Sequence, residues 1–268
     1  MKSSNSISVN VRSEIDQLES VITHTPGYEH DLMLPEHTNE WISSDNPLRN
    51  HDYLLFDDII YTQKAKKQHK CLTDTLNKFT NGNCLEVCDL ILDIMKDENV
   101  KESIIQDSID IEKSLFERNI DKYQLLDLPS EILLNTLLGG AIPNEHKYTQ
   151  IFSHPLPNLI FTRDIAAVIG ETVLLTRSSK RVRRRENVLT EHLFKYHELL
   201  NKNKVYNFCK HNPNNSIEGG DIIIFDKNII CIGISERTSL ESIELSLPTI
   251  FDEKFEFVIA VDMPKDRS

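Results

Sequence analysis

The chain has 268 residues, 39% hydrophobic and 27% charged, a balance that describes a globular protein long enough to bury a sizeable core in one large domain or roughly two. With 30 Lys and Arg against 42 Asp and Glu, the net charge of −12 argues against nonspecific binding to nucleic acid or to an anionic membrane. No apolar run is long enough to cross a bilayer, and the five cysteines (Cys71, Cys84, Cys88, Cys209, Cys231) form an odd, scattered set without metal-finger spacing, so they read as reduced thiols of a cytoplasmic protein.

Residues 1–12 are polar and read as a short tail. Residues 18–24 alternate as a strand, which Pro26-Gly27 ends with a turn. Residues 28–53 are irregular and polar, and a loop of that length is expected to cover a substrate. Residues 54–59 open a helix that carries Tyr61, Ala65, Leu72, Leu76 and Phe79 on roughly one face, with Asp57 and Asp58 as dipole caps at its start. From about 98 to 138 the apolar spacing is helical, through Ile104, Ile105 and Ile109 and then Ile132, Leu133, Leu137 and Leu138. Pro129-Ser130 fits a helix start there and Gly139-Gly140 a helix stop. These helices read as an insertion, about 58–140, between β-rich parts.

The densest stretch is Leu156-Pro-Asn-Leu-Ile-Phe-Thr-Arg-Asp164, directly ahead of a buried hairpin that turns at Gly170-Glu171. Asp164 stands at the mouth of that hairpin. A second copy follows: Glu218-Gly-Gly-Asp221 leads into an isoleucine-rich strand, a turn at Asp226-Lys227-Asn228 and a second strand. Two acid-headed hairpins suggest a repeat whose acids face a shared centre. A helix over about 183–200 follows the first hairpin, a shorter one follows Thr238, and 255–261 returns as a strand. Read alone, Asp164 could equally cap its hairpin or pair with Arg163, and Gly219-Gly220 could be a sharp turn with incidental acids. The basic cluster from Lys180 to Arg185 reads as a solvated helix entrance; its neighbours Glu186 and Glu191 and the acidic total disfavour a nucleic-acid patch. Cys209 and His211 are neighbours with no third group to orient them.

Leu156 to Asp164, Arg183-Arg184-Arg185-Glu186, Glu218-Gly-Gly-Asp221 and Gly233-Ile-Ser-Glu-Arg-Thr238 together resemble the arginine deiminase family, in that order and at similar separations. The likeness covers nearly the whole chain. It implies an α/β, pentein-type propeller of ββαβ repeats around a pseudo-five-fold axis with a helical insertion, and a single catalytic domain across residues 1–268. The residues themselves support two such units. It also implies hydrolysis of L-arginine to L-citrulline and ammonia through a cysteine-thiolate adduct, with no metal or organic cofactor. A guanidinium is planar, permanently charged and carries five donors, so its recognition takes carboxylates in fork geometry. Carried onto this sequence, Asp164 binds the guanidinium, and Glu218 lies beside it and moves protons with a catalytic histidine. Asn158 and Phe161 line the pocket. Arg184 and Arg237 grip the substrate's α-carboxylate, with the register inside Arg183–Arg185 open by one residue.

The pattern departs from the family at its end. Asp262-Met-Pro-Lys-Asp-Arg-Ser268 resembles the run just ahead of the family's His-x-Asp motif, and neither that motif nor the nucleophilic cysteine segment occurs in this sequence. An incomplete ring is therefore expected, and no turnover of arginine by this length alone. Three readings stand: a fragment of a full deiminase, which is favoured; a truncated product whose remainder is a separate chain; and a non-catalytic homologue that binds guanidino compounds or a protein partner. A relative acting on methylated arginine or transferring an amidino group is the nearest alternative within the fold. L-arginine is the expected partner, with no nucleic acid and no membrane, and a homo-oligomer is left open.

Overall fold

The computed structural model describes residues 6–40, 50, 53–144 and 148–264. Residues 1–5 of the expected tail, 41–49, 51 and 52 of the expected loop, and 265–268 lie outside them. Contacts within the chain cluster into two units: Leu18–Ile160, and Met1–Gln17 together with Phe161–Ser268.

In the first unit the order is β1 (Val21–Thr23), α1 (Tyr28–Asp31), α2 (Thr62–Phe79), β2 (Cys84–Glu86), α3 (Val87–Ile94), α4 (Glu98–Phe116), α5 (Lys122–Leu126), α6 (Ser130–Gly139), β3 (Ala141–Pro143) and β4 (Tyr148–Gln150). β1 and β2 pair in parallel, and β3 pairs antiparallel with β4. Side-chain caps start three of the helices: Glu86 accepts from Cys88 N, Asp97 from Asn99 N and Asp121 from Tyr123 N. α4 buries Ile104, Ile105 and Ile109 as its spacing predicts, and α6 follows Pro129 and ends at Gly140, φ +79°, both as read from the sequence. α2 differs. It begins at Thr62 with no acid in its first turn, and Asp58 instead accepts from Ile59 N ahead of the helix. Its inward stripe is Ala65, His69, Thr73 and Leu76, all half-buried, while Tyr61, Leu72 and Phe79 are exposed. Polar residues make up half of the stripe, so counting apolar positions found Ala65 and Leu76 but misplaced Tyr61, Leu72 and Phe79.

In the second unit the order is α7 (Thr162–Ile165), β5 (Ala166–Ile169), β6 (Thr172–Leu175), α8 (Arg184–Tyr196), β7 (Lys204–Asn207), α9 (Phe208–His211), β8 (Ile222–Asp226), β9 (Ile229–Ile234), α10 (Leu240–Asp252) and β10 (Phe257–Asp262). β6 is antiparallel to β5 and parallel to β7, and β9 is antiparallel to β8 and parallel to β10. Each half is thus one ββαβ unit, the repeat of the pentein type. Inward residues of both sheets, among them Ile169, Leu174, Ile222, Ile224 and Ile230, share one core with Ile243 of α10. α8 and α10 each span 13 residues, so the later helix is not the shorter one. β7 was not legible because Lys204 and Val205 are exposed and its other two residues only half-buried.

Residues 6–17 are tied down rather than trailing. Val11 exchanges two backbone hydrogen bonds of 2.9 Å with Gly170, and Ile7 N donates to Leu199 O at 2.8 Å. The turn at Gly170, φ +58°, is closed by the buried Glu253, whose carboxylate accepts from Thr172 Oγ1 (2.5 Å), Glu171 N (2.8 Å) and Lys204 Nζ (2.9 Å). A Cβ at Gly170 would stand 2.5 Å from Glu253 Oε2, so this turn needs glycine for space as well as for φ. Burial pushes the Glu253 carboxyl up, but Thr172, the Glu171 amide and Lys204 outweigh it and hold its pKa at about 2. A depressed carboxyl stabilises the fold above its ordinary value of 4.5, and that contribution is lost as pH falls through about 2. Glu253→Ala should therefore lower the unfolding free energy at neutral pH by about 1–3 kcal/mol, and urea melts of the variant should show a shallower loss of stability across the acid range.

Candidate functional site

The single turn of α7 sets Asp164 immediately before β5, where the carboxylate is buried. Its neighbour Arg163 is committed elsewhere, to Glu14 Oε1 at 2.6 Å and to the carbonyls of Gly219 (3.2 Å) and Ile222 (2.6 Å). Glu218 comes from the loop ahead of β8. Its amide donates to Thr238 Oγ1 at 3.1 Å, and its Oε1 accepts from Ser179 N at 3.0 Å. The two glycines that follow allow this loop to close on α7. A Cβ at Gly219 would lie 2.0 Å from the Arg163 carbonyl oxygen, and one at Gly220 would lie 2.6 Å from Asp164 Oδ1. Gly219-Gly220 is thus a close-approach element that brings Glu218 and Asp164 together.

What they meet is the guanidinium of Arg183, which stands at the end of a short 3-10 turn before α8 and is 1% exposed. Its Nη1 donates to Asp164 Oδ2 at 3.0 Å and to Glu218 Oε2 at 3.3 Å. Its Nε and Nη2 fork onto Glu186, in the first turn of α8, at 3.0 and 2.9 Å. Burial opposes a charged guanidinium, yet Glu186, Glu218 and Asp164 together raise the Arg183 pKa above its ordinary value, so it stays cationic. Burial pushes Glu186 up to about 7 against the pull of Arg183, and the nearby Glu218 and Asp164 push the same way as burial.

The expected site residues sort unevenly. Asp164 and Glu218 are brought together, and Arg237 Nη1 lies 3.6 Å from Glu218 Oε2 with its side chain 40% exposed. Arg184 is half-buried next to Arg177 and Cys209, and burial and the Arg177 guanidinium push its pKa down to about 10. Within the Arg183–Arg185 run it is Arg183 that meets the carboxylate pair. Phe161 occupies the position before α7 and is about half exposed. Asn158 belongs to the other unit, where it is buried and its side-chain amide donates to the Leu54 carbonyl. Asp221 takes the Ser235 hydroxyl at 2.8 Å. Arg183 and Glu186 are the participants that sequence reasoning missed. Their i, i+3 spacing at a helix entrance was the signal, since it puts both side chains on one face.

Two ββαβ units whose leading acids converge on a guanidinium define the class: an α/β protein with a built guanidinium-holding centre. The family model described as arginine deiminase matches residues 52–268, and the chain belongs to that family. The chain is 30% identical over 283 residues to an arginine deiminase of Borrelia garinii subsp. bavariensis, and 30% identical over 279 residues to one of Bacillus cytotoxicus. In both cases 97% of this chain is covered, and it spans 64% of the length of the relative. Similar solved structures include a DDAH from Pseudomonas aeruginosa complexed with citrulline, with a TM-score of 0.45 and 14% identity over 93% of this chain and 63% of that one. An amidinotransferase from Microseira wollei matches with a TM-score of 0.40 and 12% identity, over 95% of this chain and 62% of that one.

Removing Arg183 strands three buried carboxylates, whereas Glu186→Gln keeps shape and acceptor and relieves crowding. Arg183→Met should cost about 3–5 kcal/mol and Glu186→Gln less than about 1.5 kcal/mol, as read from the urea midpoints of the two variants measured side by side.

Proposed function

We propose that this chain carries the guanidinium-recognising part of an arginine deiminase, and that the whole protein hydrolyses L-arginine to L-citrulline and ammonia in the cytoplasm as a step of arginine breakdown. One observation carries the reading: Asp164 and Glu218 converge on a single guanidinium nitrogen, at 3.0 and 3.3 Å, in a buried setting. Family membership supports the same reaction class. Asp164 would hold the substrate guanidinium, and Glu218 would share it and move protons. Arg237, partly exposed beside Glu218, is suited to the α-carboxylate, with Arg184 as its companion. Phe161 would line the pocket. Such pre-aimed carboxylates favour a cation in a water-poor site and stabilise the charge that shifts when a thiolate attacks the guanidinium carbon, ammonia departs and water cleaves the adduct. The reading gives this chain recognition and proton handling, and assigns none of its five cysteines as that thiolate.

Arg183 sets the condition for substrate entry. Only its Nη1 holds the carboxylate pair, while Nε and Nη2 are forked on Glu186. An incoming guanidinium therefore displaces two contacts and leaves the fork in place. The same observation favours a second reading, a non-catalytic homologue in which Arg183 fills the pair permanently. Among the described residues no helix is long and apolar enough to cross a membrane.

Calorimetric titration of L-arginine into the chain, with citrulline assayed in the same samples, separates the two readings. The proposal expects saturable binding that Asp164→Asn weakens at least tenfold, and weaker binding of uncharged L-citrulline. A folded wild-type chain that binds no L-arginine would overturn the claim that this chain alone recognises the guanidinium.

A further inference from the structure

The first unit holds a second cluster of titratable side chains, independent of the carboxylate pair. The parallel register of β1 and β2 sets Thr23 opposite Glu86, so His24, just after β1, and Cys88, in the first turn of α3, arrive at the same end. His24 Nδ1 lies 3.2 Å from Glu86 Oε1 and 3.7 Å from Cys88 Sγ, and the three donor atoms all fall within 4.8 Å of one another. The other ring nitrogen, Nε2, faces Glu29 Oε1 at 3.1 Å. Glu29 and His24 are both buried. Thr25 fixes Glu86 in turn, donating to its carboxylate from the backbone amide at 3.0 Å and from the hydroxyl at 2.8 Å.

These contacts impose a charge requirement. A carboxylate only accepts, so the Nε2 facing Glu29 carries a hydrogen. In neutral imidazole, Nδ1 then points a lone pair at Glu86 Oε1, and two acceptors cannot rest 3.2 Å apart unless positive charge lies between them. Either a second proton or a metal cation supplies it. A proton on Nδ1 answers Glu86 and leaves Cys88 Sγ with only a weak contact at 3.7 Å, whereas a cation would take the nitrogen, oxygen and sulfur atoms together. Tetrahedral zinc, with Zn–N and Zn–O near 2.0 Å and Zn–S near 2.3 Å, separates nitrogen from oxygen by about 3.3 Å and nitrogen from sulfur by about 3.5 Å. The spacings in this cluster are close to both. The ring also has the outer partner that metal-binding histidines have: a carboxylate on its far nitrogen that sets the tautomer.

We infer that His24, Glu86 and Cys88 form a binding site for a zinc-class divalent cation, with Glu29 as the positioning residue behind His24 and a fourth coordination position left for water. The mixed donor set suits a borderline-soft ion and disfavours magnesium or calcium, which take oxygen ligands. The ion would pin the start of α3 to the end of β1. Neither ligand spacing nor cysteine count showed this in the sequence, because His24 and Glu86 stand 62 residues apart and meet only where β1 and β2 pair.

The test is Co2+ titration of the reduced, chelator-stripped full chain, followed by its displacement with Zn2+. The inference expects a thiolate-to-cobalt charge-transfer band with intense tetrahedral d–d bands, saturating at one ion per chain and lost on adding Zn2+. Cys88→Ser should abolish the charge-transfer band while its far-ultraviolet circular dichroism stays that of the parent, and Cys231→Ser, in the other unit, should leave it intact. Glu29→Gln should retain the band and weaken Zn2+ affinity by about 10–100-fold. A folded wild-type chain without the band, or a band that persists undiminished in Cys88→Ser, would overturn the inference and leave His24 as an imidazolium held between two carboxylates.

Discussion

Much of the second unit depends on one buried guanidinium. Arg183 satisfies Asp164, Glu218 and Glu186 at once, and those acids come from three places: the turn before β5, the loop before β8 and the first turn of α8. Burying any one of these charges unpaired would cost several kcal/mol, so the three segments are stable only in an arrangement that lets them share the cation. The glycines at 219 and 220 serve the same end, since they remove the side chains that would hold the Glu218 loop away from α7. The geometry that stabilises the fold is also the geometry that recognises a guanidinium. That coincidence explains why the two readings of the site start from the same contacts and differ only in whether Arg183 yields.

The repeat supplies the scaffold. In each ββαβ unit an antiparallel hairpin is followed by a helix and a parallel third strand, with Asp164 in the turn ahead of β5 and Glu218 one 3-10 turn (Gly219–Asp221) ahead of β8. A rigid hairpin fixes the direction of the residue that leads into it. Two copies packed on one isoleucine-rich core therefore aim Asp164 and Glu218 at the same point without long loops to order. The unit of 18–160 also ties distant segments together through a buried acid. Glu112, for instance, takes both the amide and the hydroxyl of Ser153 at 2.9 and 2.7 Å.

Legibility followed how local each signal was. Both hairpins, the Gly170 turn and the Pro129 and Gly140 limits of α6 were readable, because turn chemistry and period-two alternation are properties of neighbouring residues. Asp164 and Glu218 were readable as a pair because two motifs repeat. The partner between them was not read, since the i, i+3 spacing of Arg183 and Glu186 marks one helix face but does not tell that both acids meet there; the packing of the 3-10 turn does. β7 and the inward stripe of α2 escaped for a related reason. Both are half-exposed, and polar side chains take part in their packing. Asn158 looked like a pocket residue by its place in a motif, and its side-chain amide is spent on the Leu54 carbonyl.

Side-chain nitrogen-15 NMR of the arginine guanidinium groups tests the central claim most directly, namely that Arg183 is a held but displaceable cation in a carboxylate pair. The account predicts Arg183 Nε and Nη signals that exchange slowly with water, and it predicts that saturating L-arginine shifts the Nη1 signal while the Glu186-bound Nε signal stays in place. Arg183 signals that exchange as fast as those of exposed arginines, or that do not respond to L-arginine at all, would contradict it.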